Sequence, residues 1–349
     1  MTFSRFLRRL VATALLACVG GCSNFGYYMQ SISGEMDVVK ARQPIADVIT
    51  NPQTPPVLKR QLQLAVTIRD FASRSLALPD NESFRSYADL KRPYALWNVF
   101  ATPEFSIEPR EWCLLFAGCV SYRGYFSHDE AQQFADEMHA AGDDVFIGGV
   151  PTYSTLGWFD DPILNTFINR SESELARLIF HELAHQVVYV KEDSTFNESF
   201  AVAVEIEGVK RWVAQRNDPQ LAAAFERSQQ QRAQFQALIT SYRDQLDKLY
   251  RSGIAPDAMR ARKAELFSTM KQAYEKLKAE WGGFTGYDRF FESPNNAHLA
   301  SVGLYTQRVT QFQRLMGKHH SDLAAFYADV KEIAKLSKEE RNRVLEVGQ

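Results

Sequence analysis

From Val57 to Ala77 the apolar positions Leu58, Leu62, Ala65, Ile68 and Ala72 fall at three-and-four spacing, and Pro79-Asp80-Asn81 closes the run, which predicts a helix. Residues 93–126 alternate aromatic and β-branched positions with turn residues and predict strands. Ser127 and Glu130 form a capping box for a helix that stops at Gly142; a short strand over 144–150 and an aromatic loop from Pro151 to Pro162 follow. Ser171 and Glu174 form a second box ahead of the stripe Leu175, Leu178, Ile179, Leu183, Val187 and Val188. That helix is expected to end near Val190 and the next to run from Asn197 to Ala214. Between Pro219 and Trp281 the composition turns to Gln, Arg, Lys, Glu and Ala, with Phe225, Phe235, Leu238, Tyr242, Leu246 and Leu249 spaced helically and one break at Gly253-Ile-Ala-Pro256. An antiparallel helical hairpin is the simplest account. The pattern gives a mainly helical α+β chain: a core over 57–214, the hairpin over 215–283, and a C-terminal helical part over 284–349 packing on the core. Residues 22–56, with four prolines among the last thirteen, read as a tether.

Forty Lys and Arg against forty-two Asp and Glu leave a formal charge of −2, so no broad cationic field exists to collect nucleic acid. With 45% hydrophobic residues in 349, the chain has enough apolar surface for a large core. Its one continuous apolar run, Leu10 to Val19, is about half the ~20 residues of a membrane-spanning helix. Behind Arg5, Arg8 and Arg9 and ahead of Gly20-Gly21-Cys22, that run has the layout of a secretory signal peptide over 1–21. Export allows disulfides to persist. Cys113 and Cys119, six apart, are either bridged or two buried thiols.

His181-Glu182-Leu183-Ala184-His185 lies in the helix opened by Ser171. Two histidines four apart share one helix face and can reach one zinc ion, while Glu182 flanks the metal and is placed to take a proton from water. By composition, roughly 0.01 matches to this template are expected by chance. The alternative, two core histidines and a glutamate on an apolar helix, carries the cost of burying ionisable groups without partners. A third ligand is needed, and Glu198, thirteen residues beyond His185, returns to the histidines if the chain reverses through 191–195.

The Asn197-Glu198-x-x-Ala201 element after the two-histidine helix resembles the glutamate-zincin arrangement of thermolysin-like peptidases. A thermolysin-like core follows from that resemblance: a small mixed sheet, the two-histidine helix and the glutamate helix, with the long hairpin inserted or appended. Cys22 after Val19-Gly20-Gly21 resembles the lipidated cysteine of bacterial lipoproteins, with Cys18 as a competitor, and Ser23 resembles the signal for outer-membrane sorting. The blocks Leu78–Asp89, Trp97–Glu104, Gly118–Phe126, Gly148–Pro162 and Ile179–Gln186 resemble those of the bacterial aminopeptidase lipoproteins, from Cys22 to about Leu315. The resemblance implies a zinc aminopeptidase, lipid-anchored at Cys22 on the periplasmic face of the outer membrane, with a peptide substrate. His181, His185 and Glu198 would hold one Zn²⁺ and Glu182 would act as base. Tyr153 is the first candidate for oxyanion donor, ahead of Tyr305 and Tyr125, with His298 a further donor; Asp193 or Glu205 would orient a ligand imidazole. Gly148 and Gly149 permit substrate to approach the strand before the zinc helix, and Asp160 and Asp161, or Glu104, would grip a free amine. Two other readings use the same residues: an endopeptidase, and a non-enzymatic envelope scaffold with structural zinc whose hairpin binds a partner.

Overall fold

The computed structural model describes residues 26–114, 118–303, 308–320 and 322–347. The expected leader, Cys18, Cys22 and Tyr305 lie outside the described residues. Among the described residues no helix is long and apolar enough to cross a membrane.

Residues 26–56 differ from the expected tether. Helix α1 (26–41), strand β1 (Arg42–Pro44) and helix α2 (Ile45–Thr50) pack onto the body, burying Val38, Ile45 and Val48 in its main core. Pro44, Pro55 and Pro56 sit at the helix starts, where a missing N–H costs nothing, and Pro52 lies in the turn between α2 and the next helix, so they punctuate this segment without loosening it. Helix α3 (Pro56–Leu76) opens with Pro56 and buries Leu62, Ala65, Ile68 and Ala72, and its left-handed cap Ala77 donates its N–H to the Ala72 carbonyl.

Three small sheets follow. Strand β1 pairs antiparallel with β2 (Ser86–Ala88), which pairs parallel with β8 (Ile163–Leu164). Strand β3 (Leu96–Pro103) lies between β6 (Arg123–Tyr125) and β7 (Asp143–Val150), both antiparallel to it. Helix α4 (His128–Ala140) covers that sheet with Phe134, against Trp97, Val99 and Tyr125, and its cap Ser127 accepts from the Glu130 N–H. Strands β4 (Trp112–Leu114) and β5 (Gly118–Val120) form a ribbon in which Cys113 and Cys119 are paired residues, joined as a disulfide.

Helices α5 (Glu172–His185) and α6 (Ser194–Arg216) form the centre of the main core, where Phe180, Phe196, Phe200 and Trp212 are fully buried. Each such side chain contributes about 1.5–3 kcal/mol on leaving water. The second capping box does not form: Ser171 makes no side-chain cap bond, and the Glu174 carboxylate that would complete the box is held by Arg177 at 3.0 Å and Arg232 at 3.1 Å. Helices α7 (Pro219–Tyr250) and α8 (Pro256–Glu280) make the hairpin. Its core stacks Phe235 on Tyr287 and Tyr274 on Phe291, both at 4.0 Å between centroids. The Arg260–Glu104 pair, at 2.6 and 3.0 Å, and Lys263–Asp144, at 2.6 Å, fasten α8 to the ends of β3 and β7. After the short helices α9 (Asp288–Phe291) and α10 (Asn296–Gly303), helices α11 (Val309–Lys318) and α12 (Leu323–Ala334) complete the main core with Phe312, Met316, Phe326 and Val330.

Candidate metal centre

Helix α5 places His181 and His185 one turn apart on one face, as period 3.6 demands. It ends at His185, earlier than expected. Beyond it the N–H groups of Gln186 and Val187 turn to carbonyls three residues back, Leu183 and Ala184, tightening the exit. The chain then reverses and Asn197 staples the reversal, its side chain accepting from Val190 N–H and donating to Val190 C=O, both at 2.8 Å. Asp193 caps α6 through the Phe196 N–H and pairs with Arg341 at 2.8 Å. The next residue after the staple is Glu198, directed back at α5.

Three groups converge as a result. His181 Nε2 lies 3.2 Å from His185 Nε2 and 3.3 Å from Glu198 Oε2, and His185 Nε2 lies 3.7 Å from Glu198 Oε1. Two donors bound tetrahedrally at ~2.1 Å from one zinc ion stand about 3.4 Å apart. The spacing therefore suits a single divalent ion, and the donor set of two imidazoles and one carboxylate is one zinc accepts. His181 Nδ1 lies 2.9 Å from Glu205 Oε2, which fixes its proton there and turns the Nε2 lone pair inward.

The electrostatics follow from burial and partners. Burial works against a charged Glu205, yet Arg177, His181 and Arg232 hold its carboxyl down at about 2. Burial also opposes charge on His181, but Glu198 and Glu205 outweigh it and raise the ring to about 10. His185 is lowered to about 4, chiefly by burial. Glu182, between them in sequence, is buried, which pushes it up to about 8 against the pull of His181. Gln186 continues the support: it accepts from Asn81 at 2.7 Å and donates to Ser83 at 3.1 Å, within a loop whose carbonyls are held by the buried Arg69.

A cavity of about 690 Å³ opens on this cluster. Tyr153 lines it with His181, Glu182, His185 and Glu198, and its hydroxyl donates to Glu35 of α1 at 2.7 Å. Tyr122 and Tyr189 line it as well, and Glu198, after burial, helps to raise both hydroxyls. Those two tyrosines and Glu35 carry no local signal in the sequence. The only hint of Glu35 is an acid spaced helically with Ser31 and Val38 in a stretch too short and polar to announce itself.

Other candidates stand elsewhere. Tyr125 packs against Tyr27, Phe134 and Arg123 outside the residues lining the cavity. His298 lies on the Phe146 ring at 4.0 Å and contacts Asn295. Asp160 is exposed, and Asp161 is buried, accepting the Thr155 N–H to close the aromatic loop. Glu104 is spent on Arg260. Gly148 and Gly149 of β7 pair with Asn98 and Trp97 of β3 and line a second, adjoining cavity. At Gly149 a Cβ would sit 2.5 Å from the Tyr94 ring, so only glycine lets that ring cover the strand. Between Asp193 and Glu205, the latter touches the imidazole.

The family described as "Putative aminopeptidase" matches residues 26–345. The chain belongs to that family. The match begins at the first residue of α1, so the segment carrying Glu35 is part of the family's own extent. No curated protein and no solved structure matches the chain.

Proposed function

We propose that the chain is a zinc-dependent aminopeptidase of the cell envelope, anchored by a lipid on Cys22. The observation that carries the reading is the convergence of His181, His185 and Glu198 within 4.8 Å beside the buried Glu182. Among the described residues the cluster has three protein ligands, the number a catalytic zinc site uses when a fourth position is kept for solvent or substrate. Zinc bound there supplies Lewis acidity to the scissile carbonyl and its attacking water.

The chain's residues account for the rest of the hydrolysis. Glu182 takes the proton from water as the oxygen bonds the carbonyl carbon, then delivers it to the amine nitrogen as the C–N bond breaks. Tyr122 and Tyr189 offer hydroxyl protons to the oxygen that gains charge, while Tyr153, whose hydroxyl donates to Glu35, holds that carboxylate in place and becomes a third donor only when the substrate's ammonium takes Glu35 over. Glu35 provides an anion for the substrate's free ammonium at the α1 side of the cavity, and this supports attack at the first peptide bond. Glu205, neutralised by Arg177 and Arg232, keeps His181 oriented.

The test is a purified chain assayed for bound metal and for release of free amino acid from unblocked and N-acetylated peptides. About one zinc per chain, loss of turnover with a chelator and inactivity on acetylated peptides are the expected results. A metal-free, active protein would overturn the zinc assignment, and cleavage of acetylated peptides at internal bonds would overturn the exopeptidase one.

A further inference from the structure

The metal cavity does not end at the metal. Along α5 the lining runs from His185, His181 and Leu178 to Arg177, and then into a larger cavity of about 1150 Å³ that holds Glu174, Ser173, Ser171 and Arg170. Strand β7 runs the same way, with Val150 lining both cavities and Gly149, Gly148 and Ile147 lining the larger. Asn98, Arg232 and Gln236 are likewise shared. The two cavities are therefore stations along one cleft, roofed at the far end by the hairpin.

Their charges differ. The larger cavity is lined by Arg170, Arg177, Arg227, Arg232 and Arg289 against the single carboxylate of Glu174. Arg177 and Arg232 share Glu174 and Glu205, so that inner group is balanced. Among the described residues Arg170, Arg227 and Arg289 pair with no carboxylate; Arg289 donates only to the Tyr94 hydroxyl. Arg170 feels Glu174 at longer range, and three guanidinium groups with no contact ion pair lining one concavity make a local field that isolated surface charges do not. At the opposite end of the cleft stands Glu35. A peptide bound with its amine at Glu35 has its C-terminal side toward the arginines.

We propose that the arginine-lined cavity binds the part of the peptide downstream of the cleaved bond and selects carboxylates there, either acidic side chains or the free C-terminus. The proposal rests on the peptidase reading above for its substrate direction. Seven residues of helix separate Glu174 from His181, about 10 Å. An extended peptide covers that in about three residues. The selected carboxylates therefore lie from about the third residue beyond the cut.

The test uses the full chain and three unblocked pentapeptides: Leu-Ala-Ala-Asp-Asp as free acid, Leu-Ala-Ala-Ala-Ala-NH2 and Leu-Ala-Ala-Lys-Lys-NH2. The expected result is kcat/KM about tenfold higher for the acidic peptide than for the neutral one, carried by KM and shrinking as salt rises. A fourth peptide, the free acid of the neutral sequence, compared with its amide separates C-terminal from side-chain recognition. Combined Arg170→Glu, Arg227→Glu and Arg289→Glu should erase the preference and leave the neutral amide within about twofold. The milder Arg227→Ala should lower it about threefold in a protein of unchanged melting temperature. Equal cleavage of the three peptides, or a preference that survives charge reversal, would overturn the proposal and leave the peptidase reading in place. Binding of the fluorescently labelled acidic peptide to the Glu182→Gln chain gives the converse separation. Salt-sensitive binding without turnover of any peptide by the unmodified chain would sink the peptidase reading and keep the cavity.

Discussion

Glu205 Oε2 stands 2.9 Å from His181 Nδ1, and the two side chains meet across the α5–α6 interface with the carboxylate almost completely buried. The same carboxylate receives Arg177 and Arg232 at 3.3 and 3.2 Å. One residue thus sets the tautomer of a proposed ligand and ties the hairpin to α5. Glu205→Gln keeps the shape, weakens both duties, and should reduce zinc affinity about 10–100-fold. A competition titration against a chelator measures it; affinity equal to the unmodified chain would show that the imidazole needs no such partner.

Glu182→Gln should bind metal normally and lose turnover by a factor of about 10²–10⁴. Single-turnover assays alongside metal content separate the two. Turnover near the original rate would remove Glu182 from proton transfer.

Glu35→Gln should raise KM for unblocked peptides about tenfold, with a smaller change in kcat, because a neutral amide holds an ammonium less firmly than a carboxylate. The discrimination against N-acetylated peptides should shrink together with it. A variant whose KM is unmoved would place the amine elsewhere.

His298 packs on Phe146 with its ring tilted by 32°, and burial lowers its pKa to about 4, below the ordinary value of 6.5. The unfolded chain therefore takes up the proton first as pH falls. The contribution to stability is complete above about pH 6.5 and declines as pH drops toward 4, with an upper limit of about 3 kcal/mol. Melting temperatures of the unmodified chain and of His298→Leu, compared between pH 4 and 7, should converge as the solution is acidified. Parallel curves would show that the ring does not titrate within the fold.

The metal helix was legible because its information is local: an amphipathic period and two imidazoles at spacing four leave one geometry. Glu198 was legible for a related reason, since a short reversal after that helix allows few landing points, and Asn197 fixes the one used. The hairpin was visible through its composition and its single break at Gly253-Ile-Ala-Pro256. What escaped was long-range. Tyr153 and Glu35 are 118 residues apart, and no pattern around either announces the other. The lead-in was misread because prolines are common both in stalks and at helix starts, and only the burial of Val38, Ile45 and Val48 tells the two apart. The Ser171 box illustrates a local rule overridden, with Glu174 drawn off by two arginines that a window of sequence cannot see.

Because α1 carries Glu35 to the cavity beside His181, His185 and Glu198, residues 26–41 form part of its wall. Anyone producing a soluble version by starting at Val57, where the periodic helices begin, would discard one wall of the cleft along with the supposed linker. On the proposed reading, the protein so obtained would keep the three ligand side chains and fail to tell the beginning of a peptide from its middle.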